Sequence, residues 1–489
     1  RLVAQDVDVL SDSGAYASLS PAVLETALEH AAGPYAIPNI RSRGRLAYTN
    51  NGTGGAFRGF GANQMTYAVE CQIDRLAALA GLDPCEIRRR NLRRPGSRGF
   101  LGQTVAPSER LAEMIEAAAA SPLWAPPVQR GEWDEGTGMA LNYQGNGLGT
   151  LPPDDGAATL ALAPDGMIEI ACGLDEMGQG LIPALQAAVA AHLGCARGDV
   201  RAVYGDTGAA PDAGSTSASR GGYIVWQAAA LTAPGLARRM VAAAAAHLGC
   251  DPAGLAVVPG GVGVARQNDP RPLVTFAALA RAMLPGGLPR ESAAFAFPKA
   301  DYTAGNARYI FAFGATLARV AVSRVTGEVR LRELHLHSAC GPVIDVASYL
   351  GQMEGGMIQG LGFTLTEDAV IAGGRYVTRN LDTYLMPTLR DAPGRMVATA
   401  LESLDPGDPY GPRGAGELGI GAVTPAIANA IAAAIGHWPA RTPIPPETLL
   451  PEDLHDRPPF LLPGNILGGP GGRQPPADRA APQDAGASR

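Results

Sequence analysis

Five glycine-rich segments, spread widely along the chain, constrain its fold more than any other feature. They are GGAFRGFG (54–61), DEMGQG (175–180), GSTSASRGG (214–222), EGGMIQGLG (354–362) and GPRGAGELG (411–419). Glycine lets the backbone approach a ligand closely and adopt positive φ, and exposed N–H groups in such turns bind anions, above all at helix starts. A large phosphate-bearing cofactor held by several loops would explain all five together. Each segment alone, in a chain with 63 glycines, is typical of an ordinary turn.

Several common function classes do not fit this sequence. No GxGxxG motif follows a predicted strand and no GxxxxGKS/T motif occurs, which disfavours a Rossmann domain and a nucleotide-hydrolysing P-loop. The net charge of −7 gives no sign of a basic surface that could bind the phosphate backbone of a nucleic acid, so we expect no nucleic-acid partner. No apolar run approaches the roughly 18 residues that a membrane span needs, so we expect no membrane insertion and a cytoplasmic location.

The positions of the six cysteines also bear on metal binding and on the redox compartment. They lie far apart and none form a C-x-x-C pair, so the sequence predicts neither zinc nor iron–sulfur ligation within this chain. Dispersed cysteines of this kind are typical of buried free thiols in a reducing compartment.

With 489 residues, of which 46% are apolar, the chain is long enough for a large core and two or more domains. Apolar residues at helical spacing predict helices over about 62–80, 220–247 and 346–360. Strand patterns cover 308–323 and 328–337. Helices mixed with largely antiparallel strands indicate an α+β fold with two mixed α/β lobes. We expect a first lobe over 1–120, a linker over 121–135, a second lobe over 136–455 and a disordered tail rich in Pro and Gly over 456–489.

Taken in order, the five segments resemble the xanthine dehydrogenase/aldehyde oxidase family over about residues 1–450. That family shows an AFRGFG loop after a PNIRG-type segment, then EMGQG, a small-residue loop of TxxSxS type, a GGxxQGLG helix and a final G-x-GE segment. This sequence has IPNIRSRGRLAYTNNGTGGAFRGFG and the other four segments in the same order. The resemblance implies the C-terminal portion of a molybdopterin-binding subunit, without the small αβ domain that opens the family's subunit.

The resemblance also implies a chemistry and assigns residues to it. The family holds molybdenum on a pterin dithiolene rather than on side chains, and the metal carries the redox chemistry while the protein binds, orients and moves protons. A carbon is hydroxylated with oxygen from water, and the matching general base is Glu417, a carboxylate in a glycine-lined site. An arginine suits a phosphate because of its forked donors. The cofactor contacts implied by the matching segments are Arg58, Gly178, Gln179, Ser219, Arg220, Gln359 and Gly416.

Two departures from the family bear on the substrate. Phe60 is not one of them, since it matches the family's phenylalanine that packs against a substrate ring. Purine-oxidising members carry an arginine where Thr26 stands here, and their second ring-clamping aromatic corresponds to about Leu141. These differences favour another N-heterocycle or an aldehyde over xanthine in its usual orientation.

The resemblance extends to cofactors and partners. It implies molybdopterin with molybdenum, with the cytosine dinucleotide form left open, and iron–sulfur and FAD modules on partner subunits. An N-terminal half would complete the site if the subunit is split. Two alternatives stay open: a truncated or orphan chain that holds cofactor without catalysis, and an aromatic acyl-CoA reductase of the same family.

Overall fold

The computed structural model describes residues 1–106, 110–126, 131–150, 153–265, 271–302, 307–404, 408 and 410–451. Arg1–Leu449 belong to one unit in which helices cover both faces of a central sheet. The helices are α1 (Ser20–Glu29), α2 (Ala62–Leu79), α3 (Pro84–Asn91), α4 (Leu111–Ala119), α5 (Leu181–Leu193), α6 (Gly221–Leu248), α7 (Phe276–Met283), α8 (Val346–Leu365) and α9 (Val423–Ile435).

Strands alternate with these helices along the chain. They are β1 (Ala4–Gly14), β2 (Asn39–Tyr48), β3 (Trp133–Asn146), β4 (Asp155–Leu162), β5 (Ile168–Cys172), β6 (Val200–Val203), β7 (Leu255–Val258), β8 (Gly261–Val264), β9 (Pro272–Thr275), β10 (Arg290–Ala296), β11 (Ile310–Ser323), β12 (Val329–Ala339), β13 (Ile371–Ala372), β14 (Arg375–Tyr376) and β15 (Arg395–Ala400). The pairings are mostly antiparallel, with parallel pairs at β1–β2, β5–β6 and β12–β15. The predicted α+β class is confirmed.

The central sheet has the strand order β15-β12-β11-β3. One face of β3 and β11 carries Leu141, Tyr143 and Phe311, which pack in a core with α2 and α4. The other face packs against α8 and α9. Strand β11 is therefore buried on both faces, which explains why its sequence is largely apolar.

Helix α9 lies unusually close to β3, and two glycines allow it. A Cβ atom on Gly138 would lie 2.2 Å from the backbone nitrogen of Ala430, and one on Gly136 would lie 2.2 Å from the Ala430 carbonyl oxygen. The sequence of α9, VTPAIANAIAAAI, is rich in alanine, whose small side chain also allows a close approach. Small residues on both elements bring the α9 backbone onto the strand and place the preceding 411–419 segment beside the end of β3.

A second sheet, in the order β10-β4-β5-β6, packs against α5 and α6 in a separate core. Its β4–β5 hairpin turns at Pro164-Asp165-Gly166, as the sequence indicated.

The predicted division into lobes stays a prediction. Buried residues between Ala27 and Leu123, from the expected first lobe and the start of the linker, pack in one core with residues of β3 and β11. The middle of the expected linker, 127–130, lies outside the described residues. The expected tail, 456–489, also lies outside them. None of the helices in the described ranges is both long and apolar enough to cross a bilayer.

Candidate active site

A cavity of about 910 Å³ lies where four of the five glycine-rich segments meet. Its walls include Phe57, Arg58 and Phe60 from the first segment, and Gln179 and Gly180 from the second. The third and fifth segments contribute residues 215–222 and 412–417. The fourth lies inside α8, and this helix reaches the cavity through Ser348, Tyr349 and Gln352 instead. Segments more than 350 residues apart thus form one site, as the glycine pattern predicted.

Glu417 points its carboxylate into this cavity and is held by donors from three elements. Oε2 accepts a hydrogen bond from Ser219 Oγ at 2.6 Å and a longer one from Gln144 Nε2 at 3.4 Å. Oε1 accepts from the backbone N–H of Gly59 at 3.2 Å. The Glu417 backbone N–H donates in turn to Ser219 Oγ at 3.1 Å. The carboxylate therefore has a defined orientation.

Strand β3 positions the segment that carries Glu417 through three amides on one face. Asn142 Nδ2 donates to the Leu418 carbonyl at 3.0 Å. Asn146 exchanges two bonds with Gly414, donating to its carbonyl at 3.2 Å and accepting from its N–H at 3.0 Å. Gln144, between them, reaches Glu417 itself. These residues escaped the sequence analysis, yet polar side chains at every second position of an otherwise apolar strand were a usable signal.

Arg58 joins the first segment to the fourth and fifth. Its Nε donates to the Gly416 carbonyl at 2.5 Å, its Nη1 to Gln359 Oε1 at 3.4 Å and its Nη2 to the Gln352 carbonyl at 3.2 Å. Burial lowers the pKa of Arg58, and the Glu417 carboxylate opposes that shift. Gln359 thus lies behind Arg58, whereas Gln352, two turns earlier on α8, faces the cavity.

Backbone strain is concentrated in the same place. Phe60, Ala218 and Ser219 all line the cavity and have positive φ values of 53°, 57° and 47°. Such conformations cost energy for residues with a side chain, and they persist at functional sites where the surroundings impose them. The loop at 218–219 packs tightly on the fifth segment: a Cβ on Gly414 would lie 1.4 Å from the Ser219 carbonyl oxygen.

The N-terminus of α6 opens onto the cavity. Gly221 and Gly222 begin this helix and line the cavity, and a Cβ on Gly221 would meet no atom within 4 Å. Its first N–H groups have no partner within the helix, and with the helix dipole they favour an anion. The Ser215 and Ser217 hydroxyls, 2.8 Å apart, stand beside it.

Arg220 lines the cavity, and most of its guanidinium is bound to the protein. Its guanidinium is fully buried and binds Asp154 at 2.6 Å, the Ala213 carbonyl at 2.8 Å and the Ser215 carbonyl at 2.7 Å, besides the Asp155 carbonyl. Four of its five N–H groups are thus committed to the protein. The side chain shapes the 213–219 loop and lines the cavity, and its expected contact with the pterin or its phosphate stays a prediction.

The EMGQG loop closes on itself around Glu176. This carboxylate accepts from the N–H groups of Gly178, Gly180 and Ile182, and so covers the start of α5. Burial would raise the pKa of Glu176, but these backbone donors hold it below its usual value. Gln179 lines the cavity with its amide bonded within the loop, to the Met177 N–H and the Asp175 carbonyl, and Gly178 is exposed.

Helix α1 and the residues flanking β3 and β11 form the remaining wall. Thr26 faces the cavity, donating to the Ala22 carbonyl at 2.9 Å and accepting from Arg308 Nη2 at 3.2 Å. Leu141 does not belong to this wall: it is fully buried on the opposite face of β3 from Gln144, in the core with α2. Leu148, just after β3, faces the cavity together with Phe60. Arg308 was also missed, although an arginine just before a largely apolar strand was a signal.

Two models of the molybdopterin cofactor-binding domain match the chain, one over residues 111–393 and the other over residues 1–92. The first match alone covers more than half of the chain. This chain belongs to the molybdopterin cofactor-binding family. Glu417 lies beyond both matched ranges. Among the residues that the structure describes, no group of three or more His, Cys, Asp or Glu side chains could hold a metal ion.

Curated relatives agree with this family. The chain is 41% identical over 451 residues to a Bacillus subtilis protein named as a probable subunit of xanthine dehydrogenase, covering 92% of this chain and 60% of the relative. It is 26% identical to the aldehyde oxidoreductase of Megalodesulfovibrio gigas, covering 92% of this chain and 47% of the relative. The chain therefore spans about half to three fifths of the length of these relatives.

Solved structures share the fold. The aldehyde oxidoreductase of Desulfovibrio desulfuricans superposes with a TM-score of 0.75 at 25% identity, over 92% of this chain and 47% of that one. Quinoline 2-oxidoreductase from Pseudomonas putida 86 gives the same TM-score and identity over 93% of this chain and 60% of that one.

Proposed function

We propose that this chain is the cofactor-binding part of a molybdenum hydroxylase that oxidises an N-heterocycle or an aldehyde with oxygen derived from water. The observation that carries the proposal is the carboxylate of Glu417, directed into the cavity and oriented by Ser219, Gly59 and Gln144. Relatives named as xanthine dehydrogenase and aldehyde oxidoreductase support the reaction class.

The cavity suits a phosphate-bearing pterin. The open space beside Gly221, the N–H groups that begin α6 and the Ser215 and Ser217 hydroxyls together fit an anionic group. Gln144 lines the cavity, and its buried acceptor Oε1 has no hydrogen-bond partner among the described residues, which is typical of a site that binds a donor. We propose that molybdopterin lies here, and the cavity's volume allows a dinucleotide form such as the cytosine derivative.

The molybdenum of the bound cofactor supplies the redox chemistry. Glu417 takes the proton from the attacking oxygen at Oε1, because among the described residues Oε1 accepts one hydrogen bond, from the Gly59 N–H, whereas Oε2 accepts two, from Ser219 and Gln144. Phe60 and Leu148 exclude water and pack against the substrate ring. Arg58 keeps the backbone of the first and fifth segments together around the reacting atoms.

The rest of the enzyme belongs to partners. Electrons have to leave the site, and we propose iron–sulfur and FAD subunits as their route. Because the relatives are longer than this chain, we also propose that further polypeptide, corresponding to an N-terminal half of the subunit, completes the site.

Replacing Glu417 with glutamine tests this function. The assembled complex carrying Glu417→Gln should lose roughly 10²- to 10⁴-fold in turnover of aldehydes and N-heterocycles, since a general base contributes about that factor. Molybdenum and pterin content should stay at the wild-type level. Product oxygen should come from oxygen-18-labelled water.

The matched control is Glu354→Gln, which changes an exposed carboxylate of α8 outside the cavity and should leave turnover unchanged. Wild-type turnover by a fully loaded Glu417→Gln complex would exclude the base. A wild-type complex that holds the cofactor but oxidises none of these substrates would favour the non-catalytic alternative.

A further inference from the structure

A second cavity, of about 920 Å³, shares no lining residue with the cavity of Glu417. The first cavity lies near the start of β11, where Arg308 lines it just before the strand. The second lies beyond the other end of that strand, where residues 326–332 of the following turn and of β12 line it. A volume of this size suits a small organic ligand. The proposed function leaves this cavity unused.

Part of the lining of this second cavity is apolar and belongs to a hydrophobic core. Leu331 of β12, Leu361 of α8 and Ile444 after α9 line the cavity and are at most 6% exposed. All three belong to the core that packs α8 and α9 against the central sheet. Leu365, one turn after Leu361, also lines the cavity and packs against the same core. The hydrocarbon part of a ligand would be stabilised here by leaving water.

Arg332 adds a cation with an unused donor to the same lining. Its Nε is buried and has no hydrogen-bond partner among the described residues. Glu135 Oε1 lies 3.9 Å from this Nε, which is too long for a hydrogen bond. The guanidinium also lies over the ring of Trp133, 5.9 Å from its centre. Buried donors of a charged group are seldom left unpaired, so Arg332 has the property expected of a residue that binds an acceptor from the cavity.

Two further polar residues of this lining have unused donors. Arg390, in the segment before β15, is exposed, and its side chain makes no hydrogen bond or salt bridge in the described part of the chain. Its charge acts on the adjacent Asp391, but that carboxylate accepts from the backbone N–H and the hydroxyl of Thr388, both at 2.7 Å. Thr366, just after α8, has a buried hydroxyl without a partner among the described residues.

The other charges at this cavity indicate what kind of anion fits. Arg330 also lines it, but Glu328 holds this guanidinium through two hydrogen bonds, at 2.8 Å and 3.4 Å. The carboxylates of Glu328 and Asp391 belong to the lining, and Glu135 lies beside it. These negative charges would repel a phosphate dianion more than a singly charged ligand. A carboxylate carries a single charge and matches the planar fork of a guanidinium.

We propose that this second cavity binds a small organic monocarboxylate, whose carboxylate pairs with Arg332 and Arg390. The Thr366 hydroxyl donates a further hydrogen bond to it, and its hydrocarbon part lies against the buried apolar residues of the lining. The inference does not depend on the proposed function, because the two cavities have no residue in common.

Titration of the assembled complex with hexanoate, labelled with carbon-13 at its carboxyl group, tests the proposal without any turnover. Acetate, hexan-1-ol and inorganic phosphate are compared as competitors. We expect hexanoate to bind at least about tenfold more tightly than acetate, because a buried methylene contributes up to about fourfold. It should also bind at least about tenfold more tightly than hexan-1-ol and phosphate. Equal affinity of hexanoate and any competitor would overturn the proposal, and so would an assembled complex that binds no hexanoate.

Two arginine variants locate the bound hexanoate. Arg332→Gln should weaken its binding roughly 10- to 100-fold, the factor for hydrogen bonds to a charged group. Arg390→Gln, at an exposed position, should weaken it about two- to fivefold. Arg441→Gln is the control, since it removes the same charge from an exposed residue outside the lining and should leave the affinity unchanged. If Arg332→Gln has no more effect than Arg441→Gln, hexanoate binds elsewhere and the proposal is wrong.

A third variant keeps the test decisive if Arg332→Gln fails to fold. Thr366→Val removes only a hydroxyl that has no partner in the described part of the chain, and it should weaken hexanoate binding about threefold or more. Thr448→Val is its control, because Thr448 lies outside the lining and its hydroxyl donates to the Pro445 carbonyl at 2.7 Å. Unchanged hexanoate affinity in both Thr366→Val and Arg390→Gln would overturn the inference.

Discussion

Glu417 receives its hydrogen bonds from residues that lie 198, 273 and 358 positions away in the chain. The shortest of these hydrogen bonds, at 2.6 Å, comes from Ser219, whose backbone lies in the left-handed region. That strain is maintained by the close contact of the 218–219 loop with Gly414. A conformation that is costly for serine thus serves to aim its hydroxyl at the carboxylate.

Removing this hydroxyl should affect the chemical step more than binding. We expect Ser219→Ala to lower kcat about 10- to 100-fold with little change in KM, because it loses a hydrogen bond to a charged group without removing a substrate contact. Steady-state kinetics of the loaded complex measure both constants. Ser348→Ala is the matched control, since Ser348 lines the same cavity but donates to Asp345 at 2.6 Å. An increase in KM at constant kcat would contradict a positioning role for Ser219.

At the scale of elements, the glycines of EGGMIQGLG serve helix packing. In α8, a Cβ on Gly356 would lie 2.7 Å from the backbone of Gly419, and one on Gly360 would lie 2.6 Å from Val423 Cβ. These glycines let α8 approach the start of α9 and the end of the segment that carries Glu417. The fourth glycine-rich segment therefore supports the site from behind.

Adjacent glycines of α8 should respond in opposite ways to the same substitution. Gly356→Ala should destabilise the fold by about 1–3 kcal/mol, because the added methyl group has no room. Gly355→Ala adds its methyl group to open space and should stabilise by up to about 1 kcal/mol through helix propensity. Urea unfolding of both variants measures the difference. Equal effects would show that packing against Gly419 does not constrain α8.

At the scale of the whole molecule, many ionisable groups are buried with the three hydrophobic cores. Burial lowers the pKa of His30, His192, His335 and His337. Burial raises the pKa of Cys85, Cys195 and Cys340 to about 12. All of these groups are neutral in the folded chain, so both extremes of pH favour the unfolded state.

The free energy of unfolding should therefore be highest between about pH 6.5 and 8.5, the ordinary values of histidine and cysteine. As the pH falls below about 6.5, the unfolded chain binds protons that the folded histidines resist. As it rises above about 8.5, unfolded thiols ionise while the buried ones stay protonated. Denaturant titrations across this range measure the profile. Cys340→Ala should flatten its alkaline side, unlike Cys250→Ala at an exposed position; an identical slope in both variants would contradict this cause.

Much of the site could be predicted because its glycine-rich segments are local in sequence. The residues expected at the site that do line the cavity are Thr26, Arg58, Phe60, Gln179, Ser219, Arg220, Gly416 and Glu417. Their chemical roles stay predictions. Leu141 and Gln359 point elsewhere, since a shift of one residue along a strand, or of two turns along a helix, decides which element a side chain meets.

The sequence by itself determined the α+β class, the family and the segments that meet at the cavity, because periodicity and glycine spacing are properties of short stretches. Only the tertiary structure decided that Arg220 shapes a loop, that the amides of β3 orient the segment of Glu417, and that Arg308 reaches Thr26. Those outcomes depend on which distant partner occupies each buried hydrogen-bonding group. That pairing is set when the cores pack, and no local pattern encodes it.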